Sequence, residues 1–284
     1  MTYHEVHQRI FNAERALYNA ENLLIFDTIF ETGESPLKHS QNMEIYSCIF
    51  RSRYPVWYSR NCRLQDCIIE EDARAGFWYT KEIEVTDSLF RAPKSFRKCD
   101  NVFLKNVSLP HAEETLWENN GVQLRQVTAS GDYFAKNCRN VEINYLTLAG
   151  NYAFDSIRNA EIRNAKILGR DAFWNCENIT VYDSYISGKY IGWNSKNITF
   201  INCTMESEQG FCYMENVVMQ NCKLLNTTLA FEYSTVDLDI VSDIESVKNP
   251  SGGMIRADKI NTLILEQHRI DPSATKIICR KPEI

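Results

Sequence analysis

Residues 140–219 carry one tetrapeptide pattern five times: Asn140-Val141-Glu142-Ile143, Asn159-Ala160-Glu161-Ile162, Asn178-Ile179-Thr180-Val181, Asn197-Ile198-Thr199-Phe200 and Asn216-Val217-Val218-Met219. Each copy begins 19 residues after the one before. Working toward the N-terminus, the register continues through Gly121, Asn101, Glu82, Asn61, Asn42 and Asn22, with spacings of 19 to 21. Nine of these eleven anchors are asparagine, which makes the repeat a property of the fold rather than of composition.

The columns around the anchors define strands. One and three places after each anchor the residues are apolar almost throughout, as in Leu23 with Ile25, Val102 with Leu104, and Ile198 with Phe200. Alternation of period two marks a strand with one buried face. Five places on stand Asp27, Asp66, Asp87, Asn106, Asn164, Asp183, Asn202 and Asn221. Asn and Asp tolerate the left-handed backbone of a sharp bend, so this column reads as a corner. Apolar or small residues return after it, as in Cys48 with Phe50 and Cys67 with Ile69. A third core column precedes the next anchor by five places: Val56, Phe77, Phe96, Leu116, Ala135, Phe154, Phe173, Gly192 and Phe211.

Three short strands per turn of nearly constant length predict an all-β chain, a single-stranded parallel β-helix of about a dozen turns. Its asparagines can bond up and down the stack. A leucine-rich repeat is excluded, since its signature and helical return are missing. The chain reads as one domain, 1–284. Residues 1–19 are an N-terminal cap or partial rung, 20–245 the regular rungs, and 246–284 a C-terminal loop, strand and cap.

With 284 residues, 31 basic and 37 acidic side chains and a net charge of -6, the chain lacks the concentrated basic face of a nucleic-acid binder. No apolar run is long enough to cross a bilayer. The opening residues lack the basic head and apolar body of a secretory signal, so ten cysteines read as reduced thiols of a cytoplasmic protein. No CxxC pair, phosphate loop, dinucleotide motif or nucleophile elbow occurs, and no metal site or cofactor is expected. Cys48 with Cys67, and Cys203 with Cys222, fall one turn apart, within disulfide reach, but buried apolar packing is the better account.

The column four places before the anchor holds the chemistry: Trp57, Trp78, Arg97, Trp117, Lys136, Asp155, Trp174, Trp193 and Cys212. All five tryptophans of the protein stand in it. Because the neighbouring column is core, an extended backbone aims this one outward. As a functional feature it is an aromatic platform for sugar rings, with Arg74 and Lys94 beside the tryptophans as ligand-binding residues. As a structural feature it is a stacking ladder, the commoner use of such a column in repeat folds. The candidate catalytic groups are Arg97, Lys136, Asp155 and Glu118. They pair as Arg97 with Glu118 and Lys136 with Asp155, arrangements that are more often surface salt bridges than catalytic couples. A hydrolase would need carboxylates clustered on neighbouring turns, and the column supplies only Asp155.

Further segments carry a resemblance: Glu14-Arg15-Ala16-Leu17-Tyr18, Gly33-Glu34-Ser35-Pro36-Leu37-Lys38, Ala73-Arg74-Ala75-Gly76-Phe77-Trp78-Tyr79, Ala92-Pro93-Lys94-Ser95-Phe96-Arg97, Asp171-Ala172-Phe173-Trp174-Asn175 and Ser246-Val247-Lys248-Asn249-Pro250. Through them the chain resembles the right-handed β-helix proteins of the pectate-lyase-like superfamily. More closely it is similar to a bacterial β-helix family described as a domain of unknown function. The resemblance implies right-handedness and supplies no catalytic residue.

Two functions follow. The first is a carbohydrate-interacting protein that binds or processes an oligosaccharide along the aromatic and charged face. The second is a non-catalytic scaffold that meets a partner or a second copy through that face or a rod end. Nucleic-acid and membrane partners are not expected.

Overall fold

The computed structural model describes residues 2–281, and the chain forms two compact units, residues 1–147 and 148–284. Each is a stack of parallel strands with turns about 19 residues apart. In the first, the strands His4–His7, Glu21–Phe26, Gln41–Tyr46, Arg60–Gln65, Lys81–Thr86 and Asp100–Lys105 lie in register. Leu23 sits beside Met43, Met43 beside Cys62, Cys62 beside Ile83, and Ile83 beside Val102. In the second unit Ala160, Ile179, Ile198, Val217, Val236, Gly253 and Thr275 occupy successive layers in the same way. The fold class read from the spacing, a parallel β-solenoid, is the one observed.

About 15 turns are present rather than a dozen. His4–His7 and Ile10–Phe11 pair with the strands after them, so the N-terminal segment is a turn of the stack. Gly252–Ala257 and Thr275–Cys279 continue the pairing within the second unit. Asp243–Lys248 pairs separately with Lys259–Ile264.

The anchors and corners are left-handed bends. Asn42, Asn61 and Asn101 have φ of 54°, 51° and 59°, and the corner residues Asp66, Asp87 and Asn106 have 53°, 51° and 53°. Side-chain amides join neighbouring turns: Asn61 Nδ2 donates to Asn42 Oδ1 at 2.9 Å, and Asn197 Nδ2 to Asn178 Oδ1 at 3.0 Å.

The third side departs from expectation. Instead of a strand it is a run of tight turns in which left-handed residues alternate. Only isolated bridges, Trp78–Arg97 and Arg97–Trp117, mark it in the first unit among the described residues. From Phe96 onward the core column itself is left-handed, with Phe96 at φ 57°, Leu116 at 60°, Phe173 at 61° and Phe211 at 61°. All four are fully buried. The conformation costs an L-residue roughly 1–2 kcal/mol, while burying a phenylalanine returns roughly 1.5–3 kcal/mol, so packing holds the bend. Phe77 stacks on Phe96 at 5.0 Å and Phe154 on Phe173 at 5.2 Å, continuing the core through these turns.

Candidate functional site

In the first unit the predicted column begins earlier than Trp57 and closes on itself. The Lys38 ammonium lies 5.9 Å from the Trp57 ring centre. Trp57 stacks on Trp78 at 5.4 Å with 9° between planes. The Arg97 guanidinium lies 4.5 Å from Trp78 and 4.4 Å from Trp117, and the Lys136 ammonium 5.8 Å from Trp117. Along this run each indole meets a second ring or a cation. The indole N–H groups are also engaged by the following turn: Trp57 donates to the Ala75 carbonyl, Trp78 to Lys94 at 2.7 Å and Trp117 to Tyr133 at 2.6 Å. The rings are half-buried, lying along the turns rather than standing out as platforms.

Arg97 is the keystone. Its side chain is 18% exposed, and its terminal nitrogen pairs with Glu114 at 3.1 Å, a carboxylate shared with Lys94 at 3.2 Å. The Arg97 Nε is buried without a hydrogen-bond partner. The expected Arg97–Glu118 pairing is therefore corrected: Glu114 takes Arg97, and Glu118 takes Lys98 at 3.6 Å. Glu114 precedes Trp117 in the tight turn, which brings it over the guanidinium. Arg74 is exposed and enters no ion pair among the described residues.

Beside the tryptophans runs a row that the sequence reading missed. His39 stacks on Tyr58 at 5.2 Å, and Tyr58 on Tyr79 at 4.7 Å with 7° between planes. Tyr58 is 44% exposed, and Lys38 reaches its ring at 5.5 Å. Face-to-face stacking along the solenoid leaves ring edges, with the phenol hydroxyls, to meet solvent. The recurrence of His39, Tyr58 and Tyr79 three places before the anchors was the available signal.

In the second unit Asp155 is buried and accepts from Ser156 Oγ at 2.7 Å. Trp174 stacks on Tyr152 at 6.1 Å, and Arg170 donates to the Tyr152 hydroxyl at 2.6 Å while pairing with Asp171 at 3.0 Å. Burial raises the Asp171 carboxyl above its usual range, against the opposing pull of Arg170. Trp193 donates to the Gln209 carbonyl and meets Tyr190 and Tyr213 edge-on, at 5.0 and 5.1 Å. The buried Glu232 pairs with Lys248 at 2.9 Å, a couple that sequence reasoning also missed. The hydrogen bond to that carboxylate raises the Lys248 pKa.

The two predicted cysteine pairs are buried thiols. The sulfhydryls donate to backbone carbonyls, Cys48 to Tyr46 at 3.2 Å and Cys203 to Ile201 at 3.4 Å, and the neighbouring thiol together with burial pushes Cys67 and Cys203 upward. No group of three or more metal-ligating side chains occurs among the described residues, and no helix among them is long and apolar enough to cross a membrane.

Among solved structures the chain is similar to the A-module of the mannuronan C-5 epimerase AlgE4 of Azotobacter vinelandii. The identity is 9% over 99% of this chain and 90% of that one, with a TM-score of 0.33. It is similar also to a double mutant of the periplasmic alginate epimerase AlgG, at 10% identity over 92% and 77% and a TM-score of 0.32. A third is QnrB1, a plasmid-mediated fluoroquinolone resistance protein, at 14% over 79% and 94% with a TM-score of 0.24. Likeness at these scores says nothing about chemistry. No curated protein matches the chain. A family profile matches residues 4–278, and the chain belongs to that family, described as "Protein of unknown function (DUF3737)".

Proposed function

We propose that this protein binds an extended oligosaccharide along the outer edge of the first unit's aromatic ladder and performs no chemistry on it. The observation that carries this reading is the row His39, Tyr58 and Tyr79, rings held one turn apart with their polar edges outward and the Lys38 ammonium alongside. Rigid phenol hydroxyls spaced by one strand repeat suit the hydroxyls of successive sugar units, and little side-chain entropy is lost on binding. Chemistry is disfavoured because the acid-base candidates are engaged: Arg97 between rings, Glu114 by two cations, Glu118 by Lys98.

The covered indole faces and bonded indole N–H groups favour a second reading, in which the ladder only stiffens a scaffold. Calorimetric titration against neutral, amino and uronate hexasaccharides separates the two. Binding that falls at least tenfold in Tyr58→Ala/Tyr79→Ala, with no new reducing ends released, supports the first. Absence of binding to every glycan supports the scaffold.

A further inference from the structure

The first unit carries a second surface, remote in character from the ladder. Where the Arg60–Gln65, Lys81–Thr86 and Asp100–Lys105 strands bend into Ile68–Ile69, Leu89–Phe90 and Ser108–Leu109, the corner forms an open groove of about 650 Å³. Each turn contributes one polar corner side chain to it: Asp66, Asp87, Asn106 and Gln126. All four are left-handed, with φ between 51° and 54°, so their side chains are set by the bend. Ile68 and Leu89, both half-buried, form an apolar strip, and Ser108 and Thr128 continue it with hydroxyls.

On the adjoining strands Glu82 pairs with Arg60, Glu84 with Arg63 and Glu70 with Arg91, while Glu71 and Asp72 of the turn beyond enter no ion pair among the described residues. Asp66 and Asp87 enter no ion pair among the described residues, although Asp87 accepts from Asn106 Nδ2 at 2.7 Å. Acceptors repeating every turn, about 4.8 Å apart, beside an apolar strip suit a chain with hydroxyls on its edges and C–H groups on its faces. Uncompensated carboxylates accept strongly from hydroxyls and repel a carboxylate-bearing chain.

We infer that this corner groove binds a neutral, hydroxyl-rich oligosaccharide lying along the stack across four turns. The inference shares the carbohydrate class with the proposed function but assigns a different surface, so the two fail separately.

The test titrates neutral and uronate hexasaccharides against the wild-type protein, the groove variant Asp66→Asn/Asp87→Asn, the filled variant Ser108→Arg, and the ladder variant Tyr58→Ala/Tyr79→Ala. Asparagine keeps the left-handed corner, and thermal melts confirm that each variant is folded. The expected result is neutral-glycan binding weakened about tenfold or more by Asp66→Asn/Asp87→Asn, abolished by Ser108→Arg, and persisting in the ladder variant. Neutral-glycan binding unchanged in both groove variants overturns the groove, whatever the ladder variant does. Preference for uronates over neutral chains in the ladder variant, or no binding of neutral glycans at all, overturns it as well.

Discussion

The Arg97 guanidinium lies over two indoles at once, 4.4 Å from the centre of the Trp117 ring and 4.5 Å from that of Trp78. A planar cation between two indoles, mostly shielded from water, is the geometry in which cation–π attraction is strongest, on the order of 2 kcal/mol. Arg97→Lys keeps the charge and loses the planar stack. It is expected to lower the urea midpoint by an amount equivalent to about 1–2 kcal/mol and to raise tryptophan emission. An unchanged midpoint would show that the sandwich adds no stability.

The amide bonds between turns make a separate prediction. Asn197 donates to Asn178 and accepts from Asn216 at 2.9 Å, at a φ of 54°. Asn197→Ala loses both bonds and suffers the left-handed backbone, a cost of about 2–3 kcal/mol. Asn197→Gly recovers the backbone part, so in denaturant titrations it should fall between alanine and wild type.

The turns themselves were legible in the sequence because inward residues such as Val102 and Leu104 repeat with both the strand period and the turn period. The third side was not. Phe96 and Leu116 announce a core column, but alternating left-handed residues produce no polar-apolar pattern that distinguishes tight turns from a strand. The alignment of the tryptophans in one column was also legible, whereas the covering of their faces was not. That depends on how far an indole N–H reaches, as Trp78 does to the Lys94 carbonyl. The groove at Asp66 and Asp87 arises from the angle between strands, which a list of residues does not encode.

Thiol chemistry follows from burial. Of the ten cysteines, nine are buried and Cys279 is exposed. Burial pushes the Cys99, Cys138 and Cys176 thiols up to about 12. At pH 8 in native buffer an aromatic disulfide reagent should therefore release one equivalent rapidly, and all ten only after denaturation. Rapid release of three or more equivalents would contradict the packing of these columns.

Asp171 sets a pH dependence. Desolvation raises its folded pKa above the unfolded value, so the folded protein holds the proton longer. Stability from this group is greatest at pH below the unfolded pKa and declines as pH rises through the folded one. Asp171→Asn, isosteric and at home at φ 59°, should gain stability relative to wild type at pH 7 but not at pH 3. Equal differences at both pH values would assign the effect to packing rather than ionisation.

The most direct measurement of the stacked arrangement is hydrogen–deuterium exchange of the five indole N–H groups, followed by ¹⁵N NMR. Trp57, Trp78, Trp117 and Trp193 each donate to a carbonyl 16 to 18 residues ahead, on the next turn, whereas the Trp174 indole has no such bond among the described residues. Four slowly exchanging signals and one fast signal, assigned to Trp174, is the predicted result. Five signals lost together at the first time point would contradict it.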